Sequence, residues 1–189
     1  MTWWYVDRSA GLVSWALLSA SIVFGLLLSS KALGGKVRPN WIQDLHRGLS
    51  GLAVVFVGVH VLGAVADSYL HFGWAEVLVP FASSWRPTAV AWGVVSMYLL
   101  VAVEATSLLR KHISKAAWRK VHFLSFPLFL TATAHGITAG TELGTTAGIA
   151  AAAIVTAAIA GLTTLRIIHE VERSKQPPRP RIPASATPF

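Results

Sequence analysis

Cysteine is missing from all 189 residues, which removes disulfides, iron–sulfur clusters and every thiolate metal site at once. Charge is scarce as well. Asp, Glu, Lys and Arg make up 13% of the chain against 54% hydrophobic residues, and the mean hydropathy is +0.58, too apolar for a water-soluble domain of this length. Acidic residues are the rarest charges, 8 against 16 Lys and Arg, leaving a net charge of +8. Such an excess can be the footprint of a nucleic-acid binder. Here the cations lie in short connectors and a tail between apolar runs, as membrane topology requires, so lipid is the expected partner and nucleic acid is not. A glycine-rich nucleotide fingerprint is also lacking, and no soluble domain of any size fits outside the apolar runs.

What the chain does have is a series of apolar segments near the roughly 20 residues that a membrane helix needs, at about residues 11 to 30, 47 to 66, 88 to 109, 121 to 138 and 145 to 168. These predict an all-α membrane protein, a bundle of five transmembrane helices. The expected organisation is an outer N-terminal segment (1–9), a membrane domain (10–168) and a cytoplasmic, disordered tail (169–189) rich in proline and arginine. The first apolar run has no basic leader with a small-residue cleavage pattern, so it is read as a retained helix. Charge alternates between the connectors. Lys31, Lys36, Arg38 and Arg47 surround the first, Arg110, Lys111, Lys115, Arg119 and Lys120 the third, and Arg166, Arg173, Lys175, Arg179 and Arg181 follow the last helix. Asp67, Glu76 and Arg86 mark the second connector, and Glu142 the fourth. The basic ends predict cytoplasmic faces, with the N-terminus outside and the C-terminus inside.

Within this apolar background, His46, His60, His122 and His135 form two pairs, separated by 14 and 13 residues. Each interval is about four helical turns, or roughly 20 Å. On two parallel helices, His46 and His122 fall on the inner side and His60 and His135 nearer the outer side. Imidazoles are costly in lipid and mark a functional site by default. Two imidazoles on opposite sides of a porphyrin fill both axial positions of the iron, which favours electron transfer over oxygen binding. Four at matched depths suggest two stacked haems, with one occupied pair as a lesser form of the same idea. The rivals are interhelical hydrogen bonds and an all-imidazole metal site, which would need ligands converging within a few ångströms. The 13-residue interval is awkward, because in an ideal helix it ends about 140° away from the starting face. Pro127 lies between its two histidines, where a kink can redirect the second. Gly48, Gly51, Gly58 and Gly136 offer close backbone approach. Arg47, Arg119 and Lys120 stand beside the inner histidines, and Glu104 is expected to pair with a neighbouring cation. His71, His112 and His169 read as surface residues.

Leu45-His46-Arg47, His60, the run Trp118-Arg119-Lys120-Val121-His122, and Ala134-His135-Gly136 together resemble the ferric reductase-like transmembrane domain family. That family includes the membrane parts of NADPH oxidases and ferric reductases, and the haem subunit of a bacterial periplasmic methionine sulfoxide reductase. The resemblance spans about residues 10 to 168 and extends to Asp67-Ser68, Val79-Pro80-Phe81 and Trp85-Arg86-Pro87. It implies two b-type haems, an inner one on His46 and His122 and an outer one on His60 and His135. By their position beside the inner histidines, Arg47, Arg119 and Lys120 are candidates to meet the inner haem's propionates, and topology alone also places cations there. Many members have six helices and some carry a flavin and nicotinamide domain. Neither is read in this sequence, so a separate cytoplasmic or membrane electron donor and an extracytoplasmic acceptor are expected.

The implied protein is an oxidoreductase subunit without a catalytic residue of its own. It would pass electrons from a cytoplasmic flavoprotein or quinol to ferric iron, a flavin-binding protein or a reductase outside a bacterial cytoplasmic membrane. The alternative from a different class is a non-redox assembly factor, or a small-molecule or proton carrier, whose histidines are structural.

Overall fold

The structure is a computed structural model in which residues 2–30, 39–68 and 72–175 are described. Lys31, Lys36, Arg38, His71 and the tail from residue 176, with Arg179 and Arg181, lie outside the described residues. Among the described residues seven helices follow in order: α1 (Thr2–Ser30), α2 (Pro39–Ala66), α3 (Trp74–Leu78), α4 (Pro87–Leu108), α5 (Lys115–His122), α6 (Ser125–Thr138) and α7 (Thr146–Lys175). No strand occurs among the described residues.

Among the described residues four helices, α1, α2, α4 and α7, are long and apolar enough to cross a membrane. Five were expected. The segment that differs is the fourth, which is divided into α5 and α6 by a tight turn at Phe123 and Leu124. Proline explains the division. Pro127 has no N–H to give to the carbonyl of Phe123, and its ring crowds that carbonyl. The backbone therefore tightens: Leu124 N–H donates to Val121 O (2.9 Å) and Phe126 N–H to Phe123 O (3.2 Å), both three residues back. Four other boundaries differ from expectation, among them the starts of α2 at Pro39 and of α5 at Lys115. Helix α1 begins at Thr2, so the N-terminal segment is already helical, and α7 continues as helix to Lys175.

Helix α1 is the centre of the bundle. It packs along α2 as an antiparallel pair and also touches α6 and α7, while α4 packs on α6. Leu18, Ile22 and Leu26 of α1 meet Leu100 of α4, Leu128 and Phe129 of α6 and Ile159 of α7 in the buried core. Trp15 ties α1 to α6 by a hydrogen bond from its indole N–H to Thr133 Oγ1 (2.9 Å). Outward-facing apolar side chains such as Val55, Leu62, Leu130 and Ile154 are more than half exposed. In water that surface would be a liability, whereas lipid tails cover it without cost. Helices α2 and α6 are not packed on one another in the way α1 packs on α2 or α4 on α6. A gap between them is spanned by histidine side chains.

On one side the connectors close over the bundle. Phe81 and Arg86 hold left-handed backbone (φ 68° and 42°), a conformation that non-glycine residues seldom adopt. Arg86 offsets the cost by donating from Nη1 to Thr138 O (2.7 Å), a carbonyl in the last turn of α6 that has no partner within its helix. Tyr98 of α4 donates to Leu78 O (2.6 Å) and holds α3 against the bundle. On the same side Arg8 of α1 pairs with Glu142 of the α6–α7 connector and lies over the Trp4 ring, 3.9 Å from its centroid.

Candidate functional site

Each α2 histidine faces a histidine of the α5–α6 segment. The ring centroids of His46 and His122 are 6.0 Å apart with planes at 78°, and those of His60 and His135 are 6.0 Å apart at 71°. The tight turn at 123–124 makes the second pairing possible. Every residue taken at 3₁₀ rather than α pitch adds about 20° of rotation, so the turn removes part of the roughly 140° by which a regular helix would misdirect His135.

The rings are held from behind. His46 Nδ1 lies 2.8 Å from Ser21 O and 3.0 Å from Ser21 Oγ. His60 Nδ1 lies 2.9 Å from Asp7 O and 2.8 Å from Asp7 Oδ1. His135 Nδ1 lies 2.8 Å from Ala89 O. A carbonyl can only accept, so in the neutral form of these three rings Nδ1 carries the proton and Nε2 keeps its lone pair. Outer-sphere acceptors of this kind fix the tautomer and orientation of metal-binding imidazoles. His122 is the exception. Its Nδ1 is buried without a hydrogen-bond partner, and the ring is held by stacking on Trp118 (4.9 Å, 24°), itself covered by Arg110 at 4.4 Å.

Glycine lets these rings approach their neighbours. A Cβ on Gly93 would lie 2.8 Å from His135 Cε1 and Nδ1, one on Gly11 2.9 Å from His60 Nδ1, and one on Gly25 3.2 Å from His46 Cε1. These three glycines, with Asp7, Ser21 and Ala89, were not singled out from the sequence. One signal was available: Asp7 and Ser21, and likewise Gly11 and Gly25, are 14 residues apart, as His46 and His60 are. The glycines that were singled out do other work. A Cβ on Gly48, Gly51 or Gly58 meets nothing within 4 Å, and Gly136 packs against Leu143.

Arg47 and Arg119 are exposed and make no ion pair among the described residues. His112 and His169 are exposed, as expected. Glu104 is partly buried but has no ion-pair partner among the described residues, contrary to expectation. Its neighbours one turn on are Ser107 and Leu108, and Arg110 is turned over Trp118.

Among the described residues, no group of three or more His, Cys, Asp or Glu side chains is arranged to hold a metal ion. Each facing pair does fit two axial ligands of one iron. A metal–imidazole nitrogen distance is about 2 Å and the ring centre lies roughly 1 Å further back, so imidazoles on opposite sides of one ion have centroids about 6 Å apart. Beside His60 and His135 a cavity of about 300 Å³ opens, lined among others by Gly11, Trp15, Val57, Gly93 and Met97. Its mostly apolar wall, with a few polar groups, is that of a cofactor site.

These features define the class: a multi-pass, all-helical membrane protein with two imidazole pairs stacked along the bundle. The chain belongs to the family described as the ferric reductase like transmembrane component, which it matches over residues 10–133. His46, His60 and His122 fall within the match, and His135 lies two residues beyond it. Neither a search of curated proteins nor one of solved structures found a match. Membership suggests transmembrane electron transfer and implies redox partners in general.

Proposed function

We propose that this chain carries electrons across a membrane through two b-type haems, the inner held by His46 and His122 and the outer by His60 and His135. The facing imidazoles, 6.0 Å apart in both pairs, are the observation that carries the reading. A haem with both axial positions filled supplies a one-electron centre with no open site for substrate. The chain's own residues do the rest. Ser21, Asp7 and Ala89 orient three of the rings through Nδ1. Leu18, Leu100 and Leu128 of the apolar core also line the cavity beside His60 and His135 and give the cofactor an apolar surround. Arg47 and Arg119 follow or precede the inner histidines in exposed positions suited to propionates at the membrane surface.

The α5–α6 segment serves as a fifth crossing in this reading, with the N-terminus outside and basic connectors in the cytoplasm of a bacterial cell. A cytoplasmic flavoprotein or quinol donates, and ferric iron, a flavin-binding protein or a reductase accepts outside. The test is a reduced-minus-oxidised spectrum with haem quantification on the full chain and on four single histidine-to-alanine variants. Two haems per chain are expected, with the loss of one in each variant. A protein with no b-type absorbance when supplied with haem, or one whose haem content survives the paired loss of His60 and His135, overturns the proposal.

A further inference from the structure

Helix α1 treats the two α2 histidines by one rule and then breaks it in charge. Each imidazole is gripped at Nδ1 by a single α1 residue that offers both its backbone carbonyl and its side-chain oxygen: Ser21 for His46 and Asp7 for His60. A glycine one turn further along α1 admits the ring in each case, Gly25 and Gly11. The two grips share the bond to the carbonyl and differ in the side chain: the Ser21 hydroxyl is hydrogen-bonded to the inner ring, whereas the Asp7 carboxylate lies in ion-pair contact with the outer ring without a hydrogen bond.

From this difference we propose that Asp7 is a positioning residue that makes the outer centre harder to reduce than the inner one. The inference rests on the haem reading above. The His60 Nδ1 is hydrogen-bonded to the Asp7 carbonyl, and the carboxylate, whose Oδ1 lies 2.8 Å from Nδ1 without a hydrogen bond, acts by its charge: a negative charge in a low-dielectric bundle favours the more positive, oxidised iron.

The surrounding charges do not cancel it. Arg8, next in the chain, is engaged by the Glu142 carboxylate and by the Trp4 ring. Asp67 lines the same cavity, is 8% exposed and makes no ion pair among the described residues. The partner ring, His135, meets only the neutral carbonyl of Ala89. At the inner level the bias is reversed: Ser21 is neutral, and Arg110 lies over the Trp118 ring on which His122 stacks. Electrons at equilibrium therefore collect on the inner centre, and the outer one, once reduced, is the stronger reductant toward its acceptor.

The experiment is a potentiometric titration of the haem-loaded full chain, followed in the b-type absorbance, for wild type, Asp7→Asn and Asp7→Ser. The serine variant copies the inner grip. The His46→Ala variant assigns the outer component. Both Asp7 variants are expected to keep two haems and to move the outer component positive by at least threefold in its reduction equilibrium, about 30 mV at 59 mV per tenfold for one electron. The inner component stays in place. Two retained haems with an unmoved or negatively shifted outer component overturn the inference while leaving the haem reading intact. Loss of the outer haem from both variants also overturns it, since Asp7 would then be needed for binding rather than for potential. A wild-type chain that binds no haem removes the inference together with the reading it rests on.

Discussion

At the scale of single residues, the site depends on atoms that are absent. Gly93 has no Cβ because one would stand 2.8 Å from two atoms of the His135 ring, closer than real side chains pack. The ring is anchored at Ala89 O and has little freedom to retreat. Overpacking of this kind costs about 1–3 kcal/mol, so Gly93→Ala is expected to lose the outer haem and keep the inner. Gly161→Ala on α7, where a Cβ meets nothing within 4 Å, is expected to leave haem content unchanged and to match or raise thermal stability, as alanine does in a helix. Haem-to-protein ratio and a thermal melt in detergent check both. Equal haem loss from the two variants would remove the steric argument.

At the scale of elements, the interruption between α5 and α6 reconciles a 13-residue interval with two facing pairs. Pro127 near the start of α6 removes one hydrogen bond, and the backbone answers with the three-residue contacts at Leu124 and Phe126. Pro127→Ala restores the missing N–H and permits a regular helix from Lys115 to Thr138, which turns His135 away from His60. The variant is expected to keep its helical content by circular dichroism while its haem content falls from two to one. Undiminished haem content would mean that packing against α4, not the proline, sets the turn.

At the scale of the whole molecule, the side of the bundle that carries His60 and His135 is closed by a clasp between distant parts of the chain, Arg8 to Glu142. Partial burial by itself raises the Glu142 carboxyl, but hydrogen bonds from Arg8, its own backbone and Thr141, and the Arg8 charge, hold it below the usual carboxylate range. A lowered carboxyl in the folded state stabilises above the unfolded value, and that contribution is lost as pH falls through the lowered one. Wild type is thus expected to lose thermal stability in detergent below about pH 4 more steeply than Glu142→Gln. The pair is partly exposed, with Glu142 47% accessible, so the difference at neutral pH is small, about 1 kcal/mol or less. Parallel acid profiles for the two proteins would show that the clasp contributes nothing.

Much was legible without coordinates. Apolar length and charge placement are local properties of the chain, so the helical membrane class and most segment boundaries could be read directly. The four histidines stood out because lipid makes any imidazole expensive, and their intervals already implied two levels. The grips of Asp7, Ser21 and Ala89, and the clearances at Gly11, Gly25 and Gly93, were not legible in the same way. Each joins residues 21 to 53 positions apart, and their chemistry is ordinary until the helices are side by side. Sequence alone determined that there would be helices, histidines and two depths. Only the tertiary structure decided what holds each ring from behind, and that one grip is charged and the other neutral, because those depend on helix register, which no local pattern encodes.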